Sequence, residues 1–256
     1  MKSEMLRVKD LFPEGKLGFI AGPCAIESKK QIEETAAFLS GMGVKILRGG
    51  AFKPRTSPDS FQGLGEEGLK FMSEAARKYD MIMVTEVMSM HELDMVSEYA
   101  DILQIGSRNC QNFSLLHEVG KLNKPVLLKR GFGNTIEEFY QASRHISEEG
   151  NKEIILVERG IRTFETATRF TLDIAAIPLL KKMAPYPVLA DPSHPAGIRD
   201  LVEPLALSAV AAGANGLMVE VHPEPERAKS DSMQQLTFED FRKLHNKAKK
   251  VADAIN

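Results

Sequence analysis

The sequence predicts an α/β protein with a single (β/α)8 barrel (TIM barrel), in which eight parallel strands are each followed by a helix. Eight short apolar runs alternate with longer segments of helical periodicity. The runs are apolar throughout, as expected for parallel strands that are buried on both faces. The length of 256 residues is also typical of one such barrel. A doubly wound open sheet is the alternative, but no GxGxxG motif follows the first run.

The elements follow in order along the chain, and glycine or polar residues end most of the apolar runs. The predicted strands cover residues 17–21, 44–47, 81–87, 102–105, 125–128, 154–157, 187–190 and 216–219. The predicted helices cover residues 29–42, 65–79, 91–99, 113–122, 135–149, 165–183, 201–212 and 238–254. Ser28 is expected to cap the first helix, and Gly41 and Gly43 to end it. No linker is visible, so we expect residues 1–256 to form one catalytic domain without a regulatory domain.

Composition excludes several classes of protein. The 33 basic and 35 acidic residues give a net charge of -2, which does not favour nucleic acid or a membrane surface as a partner. No apolar run approaches the ~20 residues of a membrane span, and the N-terminus lacks the apolar core of a signal peptide. Two cysteines do not form a disulfide framework. We therefore predict a cytoplasmic protein with reduced thiols, and we expect a homo-oligomer, either a tetramer or a dimer.

Potential metal ligands follow three of the predicted strands. Active sites of these barrels lie at the C-terminal ends of the strands. The first, seventh and eighth strands are neighbours in a closed ring, and they deliver Cys24, His194 and Glu220, with Asp231 in the next loop. Such a set of sulfur, nitrogen and oxygen donors suits a divalent Mn, Fe, Co or Zn ion. The alternative is a small buried thiol, a turn histidine and solvated acids, but convergence on three adjacent strands favours a metal.

Cations and polar groups follow the other strands. The candidate substrate-binding residues are Arg48, Lys53, Arg55, Thr56, Ser57, Gln104, Ser107, Arg108, Lys129 and Arg159. Arg108, Lys129 and Arg159 end three consecutive strands, and three cations in a row favour a substrate with several negative charges. An ion-pair network with Glu86, Glu158 and Asp191 is the alternative. Lys129 is also a candidate proton donor, because neighbouring cations lower the pKa of a lysine.

Other residues of these types are expected to be structural. Cys110 is interpreted as an ordinary free thiol. The histidines at 91, 117, 145 and 245 lie on predicted helices, where surface positions are expected.

Seven motifs together resemble the 3-deoxy-D-arabino-heptulosonate 7-phosphate (DAHP) synthases of the short type I beta class. The resemblance extends from about Lys16 to Phe241. The motifs are GPCAIES (22–28), KPRTS (53–57), QIGSR (104–108), LKRG (128–131), ERG (158–160), DPSH (191–194) and EVHP (220–223). Many members of this family carry a regulatory domain or a fused chorismate mutase, for which this chain has no room.

The resemblance implies an enzyme that condenses phosphoenolpyruvate with erythrose 4-phosphate, at the start of the shikimate pathway. It implies that Cys24, His194, Glu220 and Asp231 hold a divalent metal that polarises the sugar aldehyde. It also implies that Arg48, Lys53, Arg108, Lys129 and Arg159 bind phosphoenolpyruvate, while Arg55, Thr56 and Ser57 hold the phosphate of the sugar. Lys129, Cys24 and His194 are then the candidate catalytic residues.

Two other functions compete with this one. The related 3-deoxy-D-manno-octulosonate 8-phosphate synthases use arabinose 5-phosphate, and their loop typically reads KANRS where this chain has KPRTS. That difference favours the four-carbon sugar. A non-catalytic barrel that senses phosphosugars is the second alternative, and the intact set of metal ligands together with Lys129 argues against it.

Overall fold

The computed structural model describes residues 6–53 and 59–255, and its eight strands close into a parallel barrel. Each strand pairs with its neighbours in sequence, and the first strand pairs with the eighth to close the ring. The strands are β1 (Gly18–Gly22), β2 (Ile46–Arg48), β3 (Ile82–Glu86), β4 (Ile102–Ile105), β5 (Val126–Lys129), β6 (Ile154–Glu158), β7 (Val188–Ala190) and β8 (Gly216–Glu220). The predicted (β/α)8 fold is confirmed.

The helices lie around the barrel, and most of them cover its outer face. They are α1 (Val8–Leu11), α2 (Lys29–Gly41), α3 (Glu66–Lys78), α4 (Met90–Tyr99), α5 (Phe113–Lys121), α6 (Ile136–Glu148), α7 (Ala176–Met183), α8 (Ser193–Ala196), α9 (Arg199–Ala211) and α10 (Phe238–Ile255). Ser28 caps α2 by accepting a hydrogen bond from the Gln31 backbone at 3.1 Å, as predicted. The short helices α1 and α8 were not predicted. No helix in residues 6–53 and 59–255 combines the length and apolar character that a membrane span needs.

The helix predicted over 165–183 is wrong in its first half. The chain forms a loop from 161 to 175, and α7 begins only at Ala176. Ile161 and Thr171 exchange two backbone hydrogen bonds of 2.9 Å, which folds the loop back on itself. Four threonines occupy this loop, and their β-branched, hydroxylated side chains disfavour a helix. We call residues 161–175 the β6–α7 loop.

The N-terminal end of the barrel is filled by apolar side chains. Val8 and Phe12, in and just after α1, join the cluster inside the barrel that includes Ile20, Ile155 and Met218. A Cβ atom on Gly18 would lie 2.4 Å from the Phe12 ring, so this close approach requires glycine. The polar residues of the barrel gather at the opposite end.

The expected surface position of His245 is wrong, because only 4% of the residue is exposed. Its ring lies 4.5 Å from the ring of Phe19 and 5.9 Å from that of Phe241. His245 therefore belongs to the interface between α10 and the barrel. His91 is exposed as expected, and His117 and His145 are half-buried.

Candidate active site

A cavity of about 340 Å³ opens at the C-terminal ends of the strands. Its lining includes most of the site residues predicted from the sequence, namely Arg48, Lys53, Gln104, Ser107, Arg108, Lys129, Arg159, His194 and Asp231. Cys24 and Glu220 adjoin the same wall through their contacts with Asp231 and His194. The predicted residues Arg55, Thr56 and Ser57 lie outside the described residues. The strand ends therefore bring residues from across the chain into one site.

Three of the four predicted metal ligands form a compact group. One ligand atom from each of Cys24, Glu220 and Asp231 lies within 4.8 Å of the other two. The register of β1 against β8 pairs Gly22 with Glu220, which places Cys24 just beyond the end of β8. Asp231 has a left-handed backbone with φ of 49°, a strained conformation that is common at functional sites. These residues could hold a divalent metal ion.

His194 is the fourth member of the predicted set, and Asp191 orients its ring. Its Nδ1 atom lies 2.6 Å from Asp191 Oδ2, and its Nε2 atom lies 3.5 Å from Glu220 Oε1. A carboxylate on one ring nitrogen leaves the other nitrogen available to a metal. Burial lowers the pKa of His194 below 6.5, which favours the neutral imidazole that metals bind.

The Cys24 thiol is completely buried beside charged groups. Its Sγ atom lies 3.0 Å from Ser230 Oγ, 3.3 Å from Asp231 Oδ2 and 3.1 Å from Lys53 Nζ. Burial, together with the nearby Glu220 carboxylate, raises the pKa of Cys24 to about 12. The thiol is therefore neutral near pH 7, and a bound cation would stabilise the thiolate that serves as a ligand. The donor set fits the predicted Mn, Fe, Co or Zn ion.

Arg48 and Lys53 touch this group from the β2 side. Arg48 Nη1 donates to Glu220 Oε1 at 3.0 Å and to the Pro23 carbonyl at 2.8 Å. Lys53 Nζ also donates to the Cys24 carbonyl at 3.1 Å. The Nε atom of Arg48 is buried and has no partner among the described residues. Both cations therefore connect the candidate metal group with the cavity.

Arg159 lies beside a stacked pair of aromatic rings in the wall of the cavity. Its guanidinium carbon is 4.1 Å from the centre of the Phe170 ring and 5.0 Å from that of Phe132, and the two rings are nearly parallel. The guanidinium carbons of Arg108 and Arg162 also lie within 6 Å of the Phe132 ring. Burial lowers the pKa of Arg159 to about 10, so it remains charged near neutral pH.

The two phenylalanines were missed in the sequence. Phe132 follows the LKRG motif at the end of β5, which was a usable signal. Phe170 fell in a segment predicted to be helical.

The predicted ion-pair network exists in part. Lys129 Nζ donates to Asp191 Oδ2 at 2.5 Å and lies 3.5 Å from His194 Nδ1. Within residues 6–53 and 59–255, Arg108 and Arg159 form no ion pair, so their charges remain available to an anion. The lowered pKa predicted for Lys129 is found; burial is its largest cause, and the cations Arg159 and Arg48 add to it.

Arg130 fixes the start of the β6–α7 loop. Its Nη1 atom donates to Glu158 Oε2 at 2.8 Å and to Asp173 Oδ2 at 2.9 Å. Glu158 Oε1 in turn accepts from the Gly160 backbone at 2.7 Å. This buried pair holds both ends of the loop against β5 and β6, and thereby places Phe170 beside Arg159.

The DAHP synthetase I family matches residues 13–256 of the chain. The chain belongs to this family. Among curated members, the phospho-2-dehydro-3-deoxyheptonate aldolase of Thermotoga maritima is 59% identical over 241 residues, which are 94% of this chain and 71% of that protein. The crystal structure of the Thermotoga DAHP synthase superposes with a TM-score of 0.91 at 58% identity, covering 94% of this chain and 70% of that one. The resemblance identified in the sequence is confirmed.

A second group of relatives is more distant. The 2-dehydro-3-deoxyphosphooctonate aldolase of Protochlamydia amoebophila is 31% identical over 97% of this chain and 96% of that protein. The identities of 59% and 31% place this chain nearer to the heptonate aldolase than to the octonate aldolase, as the KPRTS motif predicted.

Proposed function

We propose that this chain condenses phosphoenolpyruvate with erythrose 4-phosphate and water to give 3-deoxy-D-arabino-heptulosonate 7-phosphate and inorganic phosphate. One observation supports this most strongly: the arginines Arg108 and Arg159 line the same cavity as His194 and Asp231, two of the four candidate metal ligands. An anionic enol phosphate and an aldehyde that needs polarising would meet there. Membership of the DAHP synthetase I family agrees with this activity.

The cations of the cavity would hold phosphoenolpyruvate. Arg108 and Arg159 are charged and form no ion pair within the part of the chain that the structure describes. Their guanidinium groups suit the phosphate and the carboxylate of this trianion. Fixing the substrate against this wall supplies the orientation that a reaction between two anionic substrates requires. Gln104 and Ser107 add polar groups to the same wall.

Cys24, His194, Glu220 and Asp231 would hold a divalent Mn, Co, Fe or Zn ion. When bound, such an ion acts as a Lewis acid that polarises the aldehyde of the sugar. His194 would offer Nε2, because Asp191 occupies Nδ1. Cys24 would lose its proton to become a ligand. The fully buried positions of Cys24 and Glu220 exclude water from these donors.

Lys129 would donate the proton that the condensation requires. C3 of phosphoenolpyruvate attacks the aldehyde carbon, and the aldehyde oxygen takes a proton to become a hydroxyl group. Water then adds at C2, and cleavage of the C2–O bond releases phosphate. Lys129 Nζ faces the cavity, and burial lowers its pKa, which makes its ammonium group a stronger proton donor. Asp191 holds Nζ in place at 2.5 Å.

The test is a turnover assay of the purified chain with Mn²⁺ or Co²⁺. Loss of phosphoenolpyruvate and release of phosphate are followed with erythrose 4-phosphate and, separately, with arabinose 5-phosphate. We expect a higher kcat/KM with the four-carbon sugar. A higher value with arabinose 5-phosphate would support the octulosonate activity instead, and no turnover with either sugar would support a binding protein.

Three further predictions stay open. We propose that the protein is cytoplasmic, that it is a homo-oligomer, and that residues 1–256 act as one catalytic domain. Light scattering coupled to size-exclusion chromatography distinguishes a monomer from a dimer or a tetramer.

A further inference from the structure

Gln234 lies in the segment after β8, and its side chain is buried beside the candidate metal group. Only 2% of the residue is exposed, although glutamine is mostly found on the protein surface. Both ends of its amide are bonded. Nε2 donates to Glu220 Oε2 at 2.6 Å, and Oε1 accepts from Arg169 Nη1 at 3.0 Å.

The partners of Gln234 fix the orientation of its amide. A carboxylate only accepts hydrogen bonds and a guanidinium only donates them, so Nε2 must face Glu220 and Oε1 must face Arg169. This bond occupies the Oε2 atom of Glu220. The other oxygen, Oε1, points towards His194 Nε2 at 3.5 Å and Arg48 Nη1 at 3.0 Å.

Arg169 makes the same kind of contact with a second member of the group. Its Nη1 atom donates to Asp231 Oδ1 at 3.1 Å, while Asp231 Oδ2 lies 3.3 Å from Cys24 Sγ. Arg169 belongs to the β6–α7 loop, and the next residue, Phe170, stacks on Arg159. The Arg169 guanidinium therefore connects the candidate metal group to the loop that places Phe170 in the cavity wall beside Arg159.

We infer that Gln234 and Arg169 are positioning residues for the metal group. They bind Glu220 Oε2 and Asp231 Oδ1. Glu220 Oε1 then stays directed at His194, and Asp231 Oδ2 at Cys24. The inference rests on the proposed function, because it takes these four residues to bind the metal. Groups that orient ligands in this way commonly change metal affinity about 10- to 100-fold when they are removed. Neither residue needs to touch the metal or the substrate.

The experiment measures Mn²⁺ binding to chelator-treated protein by calorimetry or electron paramagnetic resonance. Gln234→Met keeps the length of the side chain and removes both hydrogen bonds, and Arg169→Met removes the cation. We expect both variants to raise the Mn²⁺ Kd about 10- to 100-fold. Arg169→Lys should recover part of the affinity, because an ammonium group can still donate to both oxygens. Gln141→Met is the matched control, since Gln141 is exposed on α6 and should leave the Kd unchanged.

Thermal unfolding of the metal-free variants separates positioning from a structural role. Arg169 has 41% of its side chain exposed, so Arg169→Met leaves no buried cavity and tests the inference even if Gln234→Met fails to fold. A lower Tm with the wild-type Kd for Mn²⁺ in Arg169→Met would overturn the inference. The binding measurement needs no substrate, so an inactive wild-type protein that binds Mn²⁺ would refute only the proposed reaction. A wild-type protein that binds no Mn²⁺ would overturn both.

Discussion

Cys24 illustrates how a single side chain acquires its chemistry from its place in the barrel. Burial raises its pKa to about 12, yet its Sγ atom lies beside two carboxylates. A divalent cation would both deprotonate it and neutralise Glu220 and Asp231.

We predict that Cys24→Ser lowers Mn²⁺ affinity and kcat/KM by on the order of 100-fold or more, because a neutral hydroxyl is a poorer ligand than a thiolate. Equilibrium binding and steady-state kinetics provide the measurements. Cys110→Ser is the matched control, since Cys110 is also a buried free thiol but lies outside the donor group. Equal affinity in the two serine variants would remove Cys24 from the set of ligands.

Arg159 and Arg130 are both buried, but their replacement is expected to affect the stability of the fold differently. Arg159 is desolvated without an ion pair among the described residues, and burial lowers its pKa to about 10, so its charge opposes folding. We predict that Arg159→Met raises the KM for phosphoenolpyruvate roughly 10- to 150-fold, since each charge-assisted hydrogen bond is worth roughly 1.5–3 kcal/mol. Its Tm should not fall.

Arg130→Met is the comparison. It would leave Glu158 buried without its cation, which is expected to cost about 3–5 kcal/mol of stability. Chemical denaturation measures the free energy of unfolding of both variants. A large loss of stability in Arg159→Met would instead assign Arg159 a structural role.

At the scale of elements, the sequence predicted the strands better than the loops. Each strand has three to five residues and is mostly apolar, and the polar residues at the strand ends lie on one side of the barrel because parallel strands all point the same way. The β6–α7 loop could not be predicted in this way. Its shape depends on distant contacts, such as the Phe132–Phe170 stack and the hydrogen bond from the Arg162 backbone to the Phe132 carbonyl at 2.7 Å.

The packing of α10 predicts a pH dependence of stability. Burial against Phe19, with Lys249 nearby, lowers the pKa of His245 below its ordinary value of 6.5. The unfolded chain therefore binds a proton more readily than the folded chain does. The stability associated with neutral His245 is present above pH 6.5 and is lost as the pH falls from 6.5 through the lower folded pKa.

We predict that His245→Leu weakens the loss of stability on acidification, because leucine can stay buried without a charge. The free energy of unfolding is measured at several values from about pH 7.5 down to about pH 5. His91→Leu, at an exposed position on α4, is the control. An unchanged pH dependence in His245→Leu would show that other groups control acid unfolding.

At the scale of the whole molecule, closure of the barrel explains why the metal group could be predicted. Cys24 and Glu220 are almost 200 residues apart, and only the pairing of β1 with β8 brings them together. Once eight strands are recognised in the sequence, closure of the ring determines which strands are neighbours. The contacts of Gln234 and Arg169 could not be predicted in this way. They connect two irregular segments, and the pattern of strands does not determine the paths of such segments.

Metal binding and the stability of the whole fold are linked. A ligand that binds the folded state raises its stability by an amount that grows with concentration relative to Kd. Cys24 is protonated near pH 7 because its pKa is raised to about 12, so metal binding must release that proton. The affinity should therefore increase by up to about tenfold per pH unit.

We predict that a fixed Mn²⁺ concentration raises the Tm, and that the shift increases from about pH 6.5 to about pH 8. His194 contributes little to this slope, since burial keeps it neutral above its lowered pKa. The Tm is measured by calorimetry with Mn²⁺ and with a chelator at each pH. Cys24→Ser should show a smaller shift that does not vary with pH. A wild-type shift that stays constant with pH would mean that the metal binds without the thiolate of Cys24.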